Sequence, residues 1–199
     1  MAERHESPAV EGEETSEDGE AESEREARRL ISLAQVRQHP DPVLRMRAHE
    51  VDTFDEELLR LVERMKLIMD GARGAGLAAT QVGVLRRVFV FRPDEDEPPI
   101  AIVNPELVGQ SEEREVDEEG CLSLQGVQVP VERRSSVVVR GQDPSGVNLQ
   151  LELEDFPARV CQHELDHLDG VLIIDRTTDE ARRGALALLR PKPVLGTRG

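Results

Sequence analysis

Gln162-His163-Glu164-Leu165-Asp166-His167-Leu168 is the stretch around which this chain is organised. Two imidazoles four residues apart share one helix face, about 6 Å from each other, so both reach a single metal ion. Glu164 projects beside that pair, where a general base touches a metal-bound water without being a ligand. Pro157 suits the first turn of such a helix and Gly170 its C-terminal cap. The pattern predicts metal-assisted hydrolysis, carried out from a helix.

Outward from that helix, the preceding residues read as strands. Runs at Arg87 to Phe91, Ile100 to Val103, Val127 to Val131 and Val137 to Arg140 are short and apolar. Asp143-Pro144-Ser145-Gly146 reads as a turn, and the alternation from Val147 to Leu153 marks a half-buried strand. Further upstream, Thr53-Phe54-Asp55-Glu56 resembles a capping box. It opens a helix whose stripe of Leu58, Leu61, Val62, Met65 and Ile68 packs into the core and ends near Asp70-Gly71. His39-Pro40-Asp41-Pro42 is a rigid turn. A last helix starts at the Thr177-Thr178-Asp179-Glu180 box and runs to about Arg190. Strands and helices do not alternate regularly. The expected class is α+β, with short antiparallel strands packed around a central metal-binding helix.

Charge is unevenly placed along the 199 residues, whose net is −16. Residues 1–29 hold eleven acids against four arginines and almost no large apolar side chains. Such a segment buries too little to offset ordering entropy, so a disordered acidic tail is expected over 1–29. A catalytic domain is expected over 30–178, and a C-terminal helix with a basic tail over 179–199. No run has the length of a membrane span or the make-up of a signal peptide, which predicts a soluble, cytoplasmic protein without membrane contact. The acidic balance argues against sequence-specific or broad nucleic-acid binding. The exception is residues 181–199, where Arg182, Arg183, Arg190, Lys192 and Arg198 stand without an acid. A solvated basic tail or a contact with an anionic partner both fit that stretch.

A catalytic metal site takes three protein ligands and leaves one position open. Downstream of His167 the options are poor. Ile173 stands where one metalloprotease pattern has its third histidine, and Glu180 is better used as a helix cap. Cys161 lies two residues before His163, about 200° away around the helix, and cannot share the ion. Upstream, Glu119-Gly120-Cys121-Leu122-Ser123 places a thiol beside a flexible glycine. Cys121 is the better candidate, against the alternative of a small buried hydrophobe.

Three segments, in order, resemble the signature motifs of the peptide deformylases: Gly74-Ala75-Gly76-Leu77-Ala78-Ala79-Thr80-Gln81, Glu119 to Ser123, and Gln162 to His167. His39-Pro40-Asp41-Pro42-Val43-Leu44-Arg45 resembles the same family's N-terminal region, and the compact spacing from Gln81 to Cys121 is similar to its bacterial type. The resemblance spans roughly residues 30–176. It implies one divalent ion held by Cys121, His163 and His167, ferrous iron in most members, with zinc, nickel or cobalt also accepted. It further implies a metal-bound water as nucleophile and Glu164 as general base and acid. The Gln81 amide and the Leu122 backbone N–H would steady the oxyanion, and Ala75 and Gly76 would meet the peptide. The substrate would be the N-formylmethionine of newly made chains, with release of formate. The family also implies a Glu119–Arg133 pair behind the cysteine loop, and a C-terminal contact with the ribosome in some members. Gln125 stands where the family usually has proline. Two rival classes are a zinc endopeptidase, disfavoured by the missing downstream ligand, and a metal-stabilised binding module, which needs neither Glu164 nor Gln81.

Overall fold

The computed structural model describes residues 14–94 and 96–190. Helix α2 (Glu56–Gly71) opens on Asp55, whose carboxylate accepts from the Leu58 N–H at 2.9 Å. Leu58, Val62, Met65, Ile68 and Met69 form its buried stripe. It ends in a left-handed turn: Arg73 N–H donates to the Asp70 carbonyl and Gly74 N–H to that of Met69. Arg73 holds φ at 57° there, a place that glycine normally takes.

The chain then enters a five-stranded antiparallel sheet of order β1-β2-β3-β6-β7: Gly76–Ala78, Val88–Phe91, Ile100–Gln110, Ser136–Gln142 and Asn148–Glu154. β4 (Arg114–Gly120) and β5 (Gln128–Arg134) form a separate hairpin. β2, Val88-Phe89-Val90-Phe91, is buried throughout because both sheet faces are covered. Val88 and Val90 pack with α2, whereas Phe89 and Phe91 pack with Ala158, Cys161, Leu165 and Leu168 of α3 (Asp155–Leu168). A third cluster joins Val129 and Val131 of β5 to Leu124, Ile173, Ile174 and Ala185, the last from α4 (Asp179–Leu188). The helix with the two histidines thus lies between sheet and hairpin, and the α+β expectation holds.

Four local expectations are corrected. The disordered tail expected over 1–29 is, from residue 14 onward, helix α1 (Glu14–Leu33); residues 1–13 lie outside the described residues. Arg25–Glu22, Arg28–Glu24 and Arg29–Glu26 pair along it at helical spacing, and near its C-terminal end Ser32, buried like Leu33, meets α2 at Gly71. Both capping boxes open later than expected: Asp55 and Thr178 are the caps, not Thr53 and Thr177. The sequence reading gives no strand at β1 or β4. β1 spans only three residues, and β4 is acidic and mostly exposed, so neither shows alternation. The expected strands exist with other limits, β3 reaching Gln110 instead of Val103. The basic stretch 191–199 lies outside the described residues.

Candidate active site

α3 turns His163 and Glu164 toward a cleft of about 700 Å³ that is also lined by β1, β4 and the loop after β4. Cys121 sits at the start of that loop. Its Sγ lies 3.2 Å from His167 Nε2, and the Nε2 atoms of His163 and His167 are 3.1 Å apart. All three donor atoms fall within 4.8 Å of one another. Ligands about 2.0–2.3 Å from a tetrahedral ion stand roughly 3.5 Å apart, so the spacing suits one shared cation. Cys161 is fully buried in the core, where burial first, and then Glu164's charge, push its thiol up to about 12.

Behind the histidines lies a buried ionic chain. His163 Nδ1 is 3.0 Å from Glu119 Oε2, so a proton on Nδ1 leaves Nε2 free as a donor atom. Glu119 accepts two hydrogen bonds from Arg133 at 2.9 and 3.0 Å, and a third from Arg159 at 2.9 Å. Burial works to raise the Glu119 carboxyl, but hydrogen bonds from His163 and Arg133 prevail and hold it at about 2. Arg133 continues to Asp166 at 2.5 Å, and Asp166 accepts from Arg176. The Glu119–Arg133 pair is thus buried rather than superficial. Arg159, Asp166 and Arg176 are additional to the sequence reading. Arg159, one turn before His163 on the same helix face, was the member that helical spacing exposes.

Gln81 lies in a short 3-10 turn (Ala79–Val82) and is almost fully buried. Its Oε1 accepts from the Ala78 N–H at 2.8 Å, which points Nε2 toward Ser123 Oγ at 3.2 Å and Cys121 Sγ at 3.7 Å. Leu122 follows Cys121, and its carbonyl accepts from the Gln38 amide at 2.9 Å. Leu124 N–H to the Cys121 carbonyl and Val127 N–H to that of Leu124 close two tight turns around Gln125, with Gly126 at φ 77°. These turns form without the family's proline.

Ala75 and Gly76 line the cleft, and among the described residues β1 is an edge strand paired only with β2. A Cβ on Gly76 would stand 2.8 Å from Glu164 Cδ and 2.9 Å from its Cγ. The bare backbone there is needed by the Glu164 side chain itself. Glu164 is 3 % exposed, its Oε2 has no hydrogen-bond partner among the described residues, and burial, helped by Glu119's charge, pushes its carboxyl up to about 7. A buried carboxylate oxygen without a partner, beside three converging metal-ligand atoms, fits a site completed by a cation and its water.

The chain resembles known proteins over most of its length. A family profile described as polypeptide deformylase matches residues 33–183. A peptide deformylase of Thermotoga neapolitana is 51 % identical over 144 residues, which are 72 % of this chain and 87 % of that protein. One from Desulforudis audaxviator is 42 % identical over 153 residues, 77 % of this chain and 99 % of the other. The crystal structure of peptide deformylase from Thermotoga maritima aligns with a TM-score of 0.69 at 47 % identity, covering 72 % of this chain and 96 % of that one. That of a peptide deformylase from Legionella pneumophila aligns at 0.72 and 37 % identity, covering 78 % and 98 %. With the thiol, the two imidazoles and the carboxylate gathered in one cleft, these likenesses settle membership: the chain belongs to the polypeptide deformylase family.

Proposed function

We propose that this chain hydrolyses the formyl amide of N-formylmethionine at the start of newly synthesised peptides, releasing formate and a free amino terminus. The observation that carries the reading is the buried, partnerless Oε2 of Glu164 beside Cys121, His163 and His167. Those three would hold one divalent ion through Sγ and the two Nε2 atoms. We assign ferrous iron, a thiolate and two imidazoles accepting zinc, nickel or cobalt as well. When bound, the ion supplies positive charge that acidifies a water and polarises the formyl oxygen.

The chain's own groups do the rest. Glu164 takes the proton from the water that attacks the formyl carbon. It then delivers that proton to the departing amine nitrogen as the C–N bond breaks. The Gln81 amide N–H and the Leu122 backbone N–H donate to the oxygen on which charge develops. Ala75 and Gly76, at the start of the edge strand β1, take the extended peptide as an added strand. Glu119 holds the His163 ring through Nδ1, so its Nε2 keeps one direction. No described helix is long and apolar enough to cross a membrane, and we place the work in the cytoplasm, on nascent chains. Arg182, Arg183 and Arg190 give the C-terminal segment a charge suited to the ribosome.

The test is formate release from formyl-Met-Ala-Ser by iron-loaded protein kept free of oxygen. Formate without internal cleavage is the expected result. Internal cleavage would mark an endopeptidase, and no product with the ion fully bound would mark a binding module.

A further inference from the structure

Arg29 of α1 lies outside the segment that matches the family, yet it lines the same cleft as Cys121, His163 and Glu164. Beside it in the lining stands Arg73, the residue in the left-handed turn after α2. We propose that these two arginines form a basic wall of the peptide cleft and select an acidic side chain at the third residue of the substrate. The proposal deepens the reading above and rests on it.

Distance along the cleft sets the position. Gly76 lies against the Glu164 carboxyl, and the chain leads away from it through Gly74 to Arg73. Even fully extended, three residues span no more than about 10 Å, so Arg73, which leaves the turn after α2, stands within that reach of Gly76. An extended peptide with its formyl carbon at Glu164 brings its third residue within reach of that turn. The wall is also held in place. Ser32 of α1 packs where α2 ends at Gly71, and a Cβ on Gly71 would stand 3.1 Å from Ser32 Cβ. Arg73 occupies a turn position where glycine is easier, so its charged side chain comes at a conformational cost.

The charges complete the argument. Arg29 pairs with Glu26 at 2.9 Å and Arg73 with Glu22 at 3.7 Å. Neither glutamate is part of the cleft lining, while the arginine side chains are 37 % and 54 % exposed. Exposed pairs of this kind contribute little, so an incoming carboxylate exchanges with them at small cost. Asp117 and Glu118 of β4 also line the cleft, so it carries acidic as well as basic groups.

The experiment uses the full metal-loaded chain and measures formate from formyl-Met-Ala-Asp-Ser and formyl-Met-Ala-Lys-Ser, with formyl-Met-Ala alongside. At low salt the aspartate peptide is expected to lead in kcat/KM by about two- to fivefold, and the lead to vanish at high salt. Arg29→Glu combined with Arg73→Glu should reverse the order, whereas Arg29→Lys with Arg73→Lys should keep it. Equal rates for the two peptides in the unaltered protein, or an order unmoved by the charge reversal, would overturn the wall. If formyl-Met-Ala itself yields no formate, the deformylase reading has failed, which is a separate result.

Discussion

Gly76 shows how much a single missing atom decides in this site. Its Cα lies against the Glu164 side chain, and a methyl group there would press on Cδ at 2.8 Å. Gly76→Ala is therefore expected to displace the carboxylate, costing about 1–3 kcal/mol of stability and at least about tenfold in kcat. Denaturant titration and formate release check the two parts, and unaltered turnover would show that the carboxylate tolerates the shift. Glu164→Ala should keep its metal by elemental analysis while kcat falls about 10²- to 10⁴-fold. Cys121→Ser should lose the ion readily. Cys161→Ser should not, its thiol being fully buried. At this scale the sequence was informative: the two histidines and Glu164 lie within five consecutive positions, and helix geometry alone brings them together. Arg159 and Asp166 were harder to read, because they meet their partners through contacts 28 or more residues apart in the chain.

Elements rather than residues explain the acid sensitivity expected of this fold. β4 contributes Glu119, β5 contributes Arg133, and α3 contributes Arg159 and His163, so one buried carboxylate ties three elements together. Its carboxyl is lowered from the ordinary 4.5 to about 2. A depressed carboxyl stabilises the fold fully above its unfolded value and loses that contribution as pH falls through its folded one. The shift corresponds to on the order of 3 kcal/mol, lost between about pH 4.5 and 2. Urea unfolding of the metal-free protein across that window should therefore be steeply pH-dependent, and Glu119→Gln should flatten the slope while lowering stability at pH 7. Equal slopes in the two proteins would place the acid sensitivity elsewhere. β4 itself escapes a sequence reading: Arg114-Glu115-Val116-Asp117-Glu118-Glu119-Gly120 has no apolar alternation, because its partner is β5 alone and most of it stays in water. α1 misleads for a related reason. Its acidic composition points to disorder, but its last turn buries Ser32 against α2, with Leu33 buried beside it in the chain, and tertiary packing decides.

At the scale of the molecule, the candidate metal-ligand atoms come from pieces that otherwise meet through packing and the Glu119 ion chain. His163 and His167 belong to α3, whose apolar face packs with the five-stranded sheet. Cys121 belongs to the loop after β4 and packs with the third cluster, alongside β5 and α4. A cation gripping all three would bind the folded arrangement and not the unfolded chain, so its affinity adds to global stability. At a free ion concentration a hundred times the Kd the gain is about 2.7 kcal/mol. For a domain of this size that raises Tm by roughly 5–10 °C. Calorimetry of the metal-free and metal-loaded protein should show this rise. Glu164→Ala should retain it, since its carboxylate is not one of the three ligand groups, and Cys121→Ser should lose most of it. A rise in Tm that survives Cys121→Ser would mean that the ion holds α3 alone, and the link between helix and hairpin would have to come from the Glu119 ion chain instead.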